Sequence, residues 1–391
     1  MKVTICQIFK KIILFLIISV FISGCWNKRE LDELGIVGGL GIDLDEKSNQ
    51  LDMTFQVIKP GEVRSSGGGD QEAGGKGNPV VLYKSKGKSI FEAIRKLANE
   101  SSRKLYFAHN QVIVISEEAA KKGVRRLLTF FFRDQELRSS MWILICKGKA
   151  EDTLKVPGNQ EKISSTELAD ILKVEKSASQ SVTIDLQDFV SRLLSKTTAP
   201  VAPYFEISQA EGEKLKLTGT AVFDHDKMVG RLSPQESRGL LWITGQVKSG
   251  VMTVKVSQSK EWATFEIAQS KTKTKISLKN KQIKVVLNVS TLFFLDEQSG
   301  SGDLVTLDNL KKLETLLNRA IKNDIRTTWE KVSLLNVDVF GFGEMIHREY
   351  PKKWKIFEPN WNKLFTKIKL EVKSDSRIYN TGQIIKPISP L

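Results

Sequence analysis

The chain has 391 residues, with 60 lysines and arginines against 45 acidic residues, and its formal net charge is +15. Its length is too great for one small hydrophobic core and suits two or three domains. The basic residues are spread along the sequence, which favours a solvated basic surface over a specific site for a polyanion.

The first 24 residues have the pattern of an export signal. Three lysines give the chain a positive start: Lys2, Lys10 and Lys11. An apolar run of eleven residues follows from 12 to 22, shorter than the roughly 20 residues that span a bilayer, and then come Ser23 and Gly24. The pattern therefore predicts a signal peptide over residues 1 to 24.

Cys25 follows the small residues of the motif Ile-Ser-Gly-Cys, which fits the bacterial lipobox. We therefore predict cleavage between Gly24 and Cys25, with Cys25 carrying S-diacylglycerol and an N-acyl chain and beginning the mature protein. An uncleaved anchor helix, or an ordinary signal with an incidental cysteine, is the alternative. With the signal removed, the net charge falls from +15 to +12 and Cys146 is the one further cysteine, so no internal disulfide is expected.

Residues 25 to 198 are predicted to form an N-terminal mixed α/β domain. Alternating apolar residues predict strands before residue 59, and a flexible glycine-rich loop is expected over 65 to 78. Ser89 and Glu92 then form a capping-box pattern at the start of a helix. Strands are predicted at "QVIVIS" (111 to 116) and "MWILIC" (141 to 146), and two helices follow, the first opening at Ser164 and Glu167.

Two prolines interrupt the periodicity near residue 200, and we predict a linker over 199 to 213 followed by a C-terminal α+β domain over 214 to 385. This domain is expected to begin with a hairpin whose turn falls at Asp224 to Asp226. Mainly antiparallel strands, a long amphipathic helix after residue 309, a strand at "LLNVDVFGFG" (334 to 343) and a last strand at "TKIKLEVKSD" (366 to 375) complete it. The fold class is therefore α+β, with room for a third, small subdomain.

The sequence offers no enzyme signature. "KGKS" (86 to 89) lacks the earlier glycine of a phosphate-binding loop, because Leu82 stands in its place. The three histidines, His109, His225 and His347, are over a hundred residues apart and have no metal-ligand spacing. We therefore expect no catalytic residue, no metal and no cofactor, and the pattern leaves any ligand-binding residue unknown.

Several phrases of the sequence resemble the Ger(x)C family, the lipoprotein C subunits of bacterial spore germinant receptors. The first is "GCWNKRELDELGIVGGLGID" from residue 24, and "GKSIFEAIRKLANESSRKLYFAHNQVIVIS" follows it from residue 87. "GTAVFDHDKMVGRLSPQESRGLLWITG" (219 to 245) and "DVFGFGEMIHREYPKKWK" (338 to 355) resemble C-terminal segments of that family. These phrases run through nearly the whole mature chain in the family's order.

The resemblance implies a non-catalytic subunit held by its lipid on the spore inner membrane, facing outside the cytoplasm. Its partners would be an integral-membrane A subunit and a permease-like B subunit, and together they would start germination in response to nutrients. Nucleic acid is not expected as a partner. The functional position that the resemblance transfers is Cys25.

Two other functions are compatible with an exported lipoprotein. A substrate-binding receptor of a transporter would also carry a lipobox, but such receptors usually have two similar doubly wound lobes, whereas the second unit here is patterned as antiparallel sheet with a late helix. A hydrolase acting on the cell wall would need a catalytic constellation that the sequence does not contain.

Overall fold

A computed structural model describes residues 33–59, 78–133, 138–210, 212–256, 261–279, 282–299 and 303–380. Helices and strands alternate in the first part of the chain and are segregated in the second, and the fold is α+β as the sequence predicts. Its strands form two sheets, one of nine strands and one of four.

The first sheet is mixed and spans both predicted domains. Its order is β3-β2-β1-β5-β6-β7-β8-β9, and β4 pairs with the first residues of β1. The pairs among β1, β5, β6 and β7 are parallel, and both ends of the sheet are antiparallel. The strands are β1 (Leu34–Asp45), β2 (Gln50–Ile58), β3 (Val80–Gly87), β4 (Lys104–Tyr106), β5 (Val112–Ser116), β6 (Trp142–Cys146), β7 (Val201–Ser208), β8 (Lys214–Asp224) and β9 (Lys227–Leu232).

Short helices connect these strands and cover both faces of the sheet. They are α1 (Ile90–Leu97), α2 (Glu117–Lys122), α3 (Arg125–Leu128), α4 (Ala150–Lys155), α5 (Ser164–Ala178) and α6 (Leu186–Leu194). Each face has its own apolar core, one under α1, α2 and α6 and the other under α4 and α5. The predicted strands at 111 to 116 and 141 to 146 are therefore the buried centre of this sheet.

The second sheet has the order β10-β11-β12-β13, with β12 and β13 parallel and the other pairs antiparallel. Its strands are β10 (Val251–Lys255), β11 (Trp262–Lys279), β12 (Gln282–Gln298) and β13 (Lys369–Asn380). The helices that accompany it are α7 (Pro234–Thr244), α8 (Leu307–Leu335), α9 (Phe342–Glu349), α10 (Pro351–Phe357) and α11 (Trp361–Phe365). Among the described ranges, no helix combines the length and the apolar character that crossing a membrane requires.

Local signals in the sequence explain where several elements begin. The Ser89 hydroxyl accepts from the Glu92 N–H at the start of α1, as in the predicted capping box. The Glu92 carboxylate accepts from the N–H of Lys88, whereas in a standard capping box it would accept from the N–H of Ser89. The hairpin turn lies at Asp224 to Asp226 as predicted, and His225 there has a positive φ of 53°. These contacts involve only near neighbours in sequence, which is why pattern alone could locate them.

The segment 199–213, predicted as a linker, contains strand β7, and this is a correction. The prolines suggested a break, but β7 begins at Val201, its first five residues are buried and it pairs with β8 along its length. The pairing with β6 involves only Tyr204 and Phe205, so the missing N–H of Pro203 leaves that ladder intact. Strands β8 and β9, placed in the C-terminal domain by the sequence, continue the first sheet.

The strand predicted at 334 to 343 is also wrong. Helix α8 continues to Leu335, Asn336 ends it in a left-handed conformation, and a loop leads to α9 at Phe342. The apolar residues of this stretch have the pattern of a strand, but the Asp338 carboxylate accepts hydrogen bonds from the N–H groups of residues 340 to 343. These N–H groups are therefore not available to pair with a neighbouring strand. We call residues 336–343 the Asp338 loop.

Candidate functional site

The predicted lipid site, Cys25, and the cleavage position, Gly24, lie outside the residues that the structure describes. Cys146 lies on β6 and is buried in the core. Burial raises the pKa of its thiol to about 12, because the thiolate would lose its hydration there. Cys146 is therefore a small core side chain and not a nucleophile.

The three histidines have different neighbours. His109 contacts the ring of Tyr106, His225 contacts the Asp224 carboxylate at the hairpin tip, and His347 packs near Trp354. Across the ranges of the chain that are described, no group of three or more His, Cys, Asp or Glu side chains could hold a metal ion.

In the Asp338 loop, one buried carboxylate accepts five hydrogen bonds. One carboxylate oxygen of Asp338 accepts from the N–H groups of Phe340, Gly341 and Phe342 at 2.9–3.2 Å. The other accepts from the Gly343 N–H at 2.7 Å and from Trp361 Nε1 at 3.2 Å. The carboxylate thus satisfies the first N–H groups of α9 and fixes α11 beside it.

Asp338 is 2% exposed, and burial raises the pKa of its carboxyl to about 6 even though five N–H donors favour the anion. A cation lies close by, because Arg192 at the end of α6 donates through Nη1 to the carbonyls of Ala199 and Val339. The Ala199 N–H in turn donates to the Asp338 carbonyl at 2.8 Å. The loop therefore joins helix α6, the entry to β7 and the aromatic helices α9 and α11.

This joint was missed in the sequence, although its residues "DVFGFG" stood in a phrase that carried the family resemblance. An aspartate placed shortly before two glycines is the one signal that could have indicated it, because such carboxylates accept from the N–H groups that follow them. Gly341 has a φ of 76°, and a β-carbon at Gly343 would stand 2.9 Å from Trp361 Nε1. The arrangement fixes geometry and provides no group for covalent chemistry.

A second joint connects α7 and α8. Asp324 is buried and accepts from Arg238 Nε at 2.8 Å and from Gln235 Nε2 at 2.9 Å. Arg238 also donates to the Val251 carbonyl, which ties the first strand of the second sheet to these helices. The segment 219 to 245 that resembled the family's C-terminal domain therefore packs on the long helix.

The first sheet also carries an open cavity of about 570 Å³ beside the first residues of β5 and β6. Its described lining residues include the basic side chains of His109, Arg138 and Lys173 and no acidic one. The Oδ1 atom of Asn110 is buried there without a hydrogen-bond partner. The lining can offer charge and hydrogen bonds to a small polar molecule.

Two family models match the chain. The first, described as the spore germination protein N-terminal domain, covers residues 27–207, and the second, described as spore germination B3/GerAC like, C-terminal, covers residues 218–382. The crystal structure of the GerBC protein matches the fold with a TM-score of 0.56 and 21% identity, covering 87% of this chain and 97% of that one.

Curated relatives match over nearly their full length. Spore germination protein KC of Bacillus subtilis (strain 168) is 30% identical over an alignment that covers 96% of each chain. Spore germination protein B3 of the same organism is 26% identical and covers 93% of this chain and 96% of its own. The chain belongs to the Ger(x)C family of spore germination proteins, and it is a germinant receptor subunit.

Proposed function

We propose that this chain is the lipid-anchored C subunit of a nutrient germinant receptor. Cys25 would attach it to the spore inner membrane on the side facing away from the cytoplasm. There it would work with an integral-membrane A subunit and a permease-like B subunit without catalysing a reaction itself. The observation that carries the proposal is the match to spore germination proteins over 96% of the chain.

The lipobox supports the anchor, because an eleven-residue, largely apolar signal core followed by small residues and Cys25 is the pattern that lipoprotein processing requires. Two acyl chains hold a protein on a membrane where one holds it only marginally. The buried Cys146 thiol and the purely structural contacts of Asp338 support a binding or scaffold role.

The transporter-receptor alternative predicts two similar doubly wound lobes with a ligand between them. The two sheets here have nine and four strands, and the second is covered by one 29-residue helix. This dissimilarity favours the receptor subunit.

Cys25→Ala tests the anchor. We expect the variant to lose radiolabelled fatty-acid incorporation and normal signal processing, and spores carrying it at matched protein level to respond poorly to nutrients. Cys6→Ala is the matched control, because it removes a cysteine that precedes the lipobox and should keep label and germination. Absence of label on the wild-type chain would refute the anchor, and normal germination after loss of label would show that contacts with membrane subunits are enough for localisation.

The partners are tested by cross-linking in intact spore membranes followed by solubilisation in detergent. Recovery of an A and a B subunit of one receptor with this chain is the expected result. Recovery of a tightly bound small molecule and a transporter permease would instead favour the substrate-binding alternative.

A further inference from the structure

A groove with aromatic walls lies between α1 and the short turn of residues 130–132. The groove has a volume of about 260 Å³. Phe91, which lines it, is 51% exposed, and Phe132, in the adjoining turn, is 50% exposed. The groove is lined by Phe91, Ile94, Arg95, Leu97, Ala98, Ser101, Arg103, Lys104, Leu105, Phe107 and Phe130. We call this set, together with Phe132 of the adjoining turn and Arg133 directly after it, the aromatic-basic patch.

The exposure of Phe91 does not result from poor packing of helix α1. Ile90, Ala93 and Leu97 bury the opposite face of α1 in the core of the first sheet. Phe91 instead turns its ring toward Phe130, with centroids 6.4 Å apart. Phe91 and Phe132 thus add two half-exposed rings to the apolar lining of one groove, and exposed apolar side chains grouped in this way are typical of interaction surfaces.

The charge around the rings is positive. Arg95 places its guanidinium 4.9 Å above the ring of Phe91, and Arg103 also lines the groove, whose described lining residues include no acidic side chain. Glu92, the acid next to Phe91 in sequence, is paired with Lys96 at 2.9 Å. Arginine and lysine around exposed aromatic rings are the composition of surfaces that settle on anionic lipid headgroups.

The register of the sheet places the patch at the start of the described chain. Strand β4 runs parallel to β1, and Leu34 pairs with Lys104, which lines the groove. Nine residue steps separate Leu34 from Cys25, and that length of chain reaches at most about 30 Å. A lipid on Cys25 therefore keeps this side of the first sheet close to the membrane.

We propose that the aromatic-basic patch is a membrane-contact surface, which rests on anionic lipid headgroups with Phe91 and Phe132 in the interfacial layer. The location of the patch beside the membrane rests on the proposed attachment at Cys25, but its affinity for lipid does not. The patch would fix the orientation of the subunit, which a flexible anchor alone leaves free.

A second basic surface provides a comparison. The outward face of β11 presents Lys271, Lys273 and Lys275 as exposed side chains. No large aromatic ring alternates with these lysines on that strand face, so it can supply electrostatic attraction but little insertion. Variants of this face show how much of the binding to anionic lipid comes from the general positive charge of the protein and how much comes from the aromatic-basic patch.

The test uses the mature chain, residues 25 to 391, with Cys25→Ser, so that no lipid contributes. Flotation is measured with vesicles of phosphatidylcholine alone and with vesicles that also contain phosphatidylglycerol. We expect binding to the anionic vesicles only. The double variant Phe91→Ser/Phe132→Ser should lower the apparent affinity at least about tenfold, because each buried ring contributes to transfer from water. Added salt should weaken binding further.

Leu334→Ser/Ile356→Ser is the matched control, because these two apolar side chains are even more exposed, at 84% and 72%, and lie on other helices. It should bind as the unsubstituted chain does. Both double variants should still unfold in one cooperative transition well above the temperature of the assay, since none of the four side chains belongs to a buried core.

Three outcomes would overturn the proposal. In the first, the Phe91→Ser/Phe132→Ser variant binds as well as its parent. In the second, binding is lost in Lys271→Gln/Lys273→Gln/Lys275→Gln instead. In the third, the chain does not bind anionic vesicles and a photo-cross-linker at position 132 reacts with a membrane protein. The last would assign the patch to a protein partner. Failure of the anchor at Cys25 is a separate result, because it is measured by lipid label on the wild-type chain.

Discussion

Gly239 of α7 and Thr328 of α8 stand so close that a β-carbon at position 239 would lie 1.9 Å from Thr328 Oγ1. The same β-carbon would lie 2.3 Å from the Asp324 carbonyl oxygen, which is backbone and cannot rotate away. The Thr328 hydroxyl itself donates to the Glu236 carbonyl at 2.7 Å. Helix α7 can pack on α8 at this distance only because residue 239 has no side chain.

Gly239→Ala is therefore expected to lower the free energy of unfolding by about 3 kcal/mol or more, because the helices must separate to admit a methyl group. Urea unfolding of the mature chain measures the change. Gly35→Ala is the control, since its β-carbon would meet its nearest neighbours at an ordinary 3.4 Å, and it should alter stability by less than about 1 kcal/mol. Equal effects of the two substitutions would contradict the close approach of α7 to α8.

The pair between Arg238 and Asp324 gives a second prediction on the same two helices. Arg238→Met leaves the buried Asp324 carboxylate with Gln235 as its remaining side-chain donor, and we expect a loss of about 3 kcal/mol in the free energy of unfolding. Arg326→Met breaks an exposed pair with Glu330 on the same helix and should cost under about 1 kcal/mol. A similar small cost for both would show that the Arg238 contact carries little stability.

Elements built from contacts between near neighbours could be predicted from the sequence. The hairpin at Asp224 to Asp226, the helix after Ser89 and the two buried strands of the first sheet depend on turn residues, caps and periodicity, all of which are visible in the chain. The family resemblance was confirmed over the same regions.

Features fixed by distant contacts could not be predicted. The prolines near residue 200 predict a break, yet β7 is held by β8 and by two residues of β6. Asp338 organises a loop whose apolar residues have the pattern of a strand. Trp361, which donates a hydrogen bond to the Asp338 carboxylate, lies 23 residues further along the chain. In both cases a tertiary contact overrides the local pattern.

Strand β7 should resist proteolysis. Tyr204 and Phe205 are buried in the first sheet, so chymotrypsin should not cut after either residue in the native chain. Both bonds should be cleaved once urea unfolds the protein. Mass spectrometry of fragments identifies the sites, and early native fragments ending at 204 or 205 would restore the linker that the sequence suggested.

Cys146 should be unreactive in the folded chain. Burial raises the pKa of its thiol to about 12, and both the missing thiolate and the lack of access slow alkylation. In the mature chain with Cys25→Ser, iodoacetamide at neutral pH should modify Cys146 only after denaturation. Rapid native labelling would show that β6 opens locally.

Asp338 should make the stability of the protein depend on pH. Burial raises the pKa of its carboxyl from 3.8 to about 6, so the folded state holds this proton more tightly than the unfolded chain does. The free energy of unfolding should therefore fall as pH rises from about 4 to about 6 and stay level above that, with a total change of about 3 kcal/mol from this group.

The measurement compares the wild type with Asp338→Asn by urea unfolding at several pH values between about 4 and 7. The variant should be less stable throughout, because an amide nitrogen would face the N–H groups of Gly343 or Trp361, and it should lack this part of the pH dependence. Asp375→Asn, an exposed carboxyl on β13, should keep the wild-type dependence. If the difference between wild type and Asp338→Asn instead stays constant between about pH 5 and 7, the five N–H donors outweigh burial, and the carboxylate is ionised over this whole range as a permanent anchor for the first turn of α9.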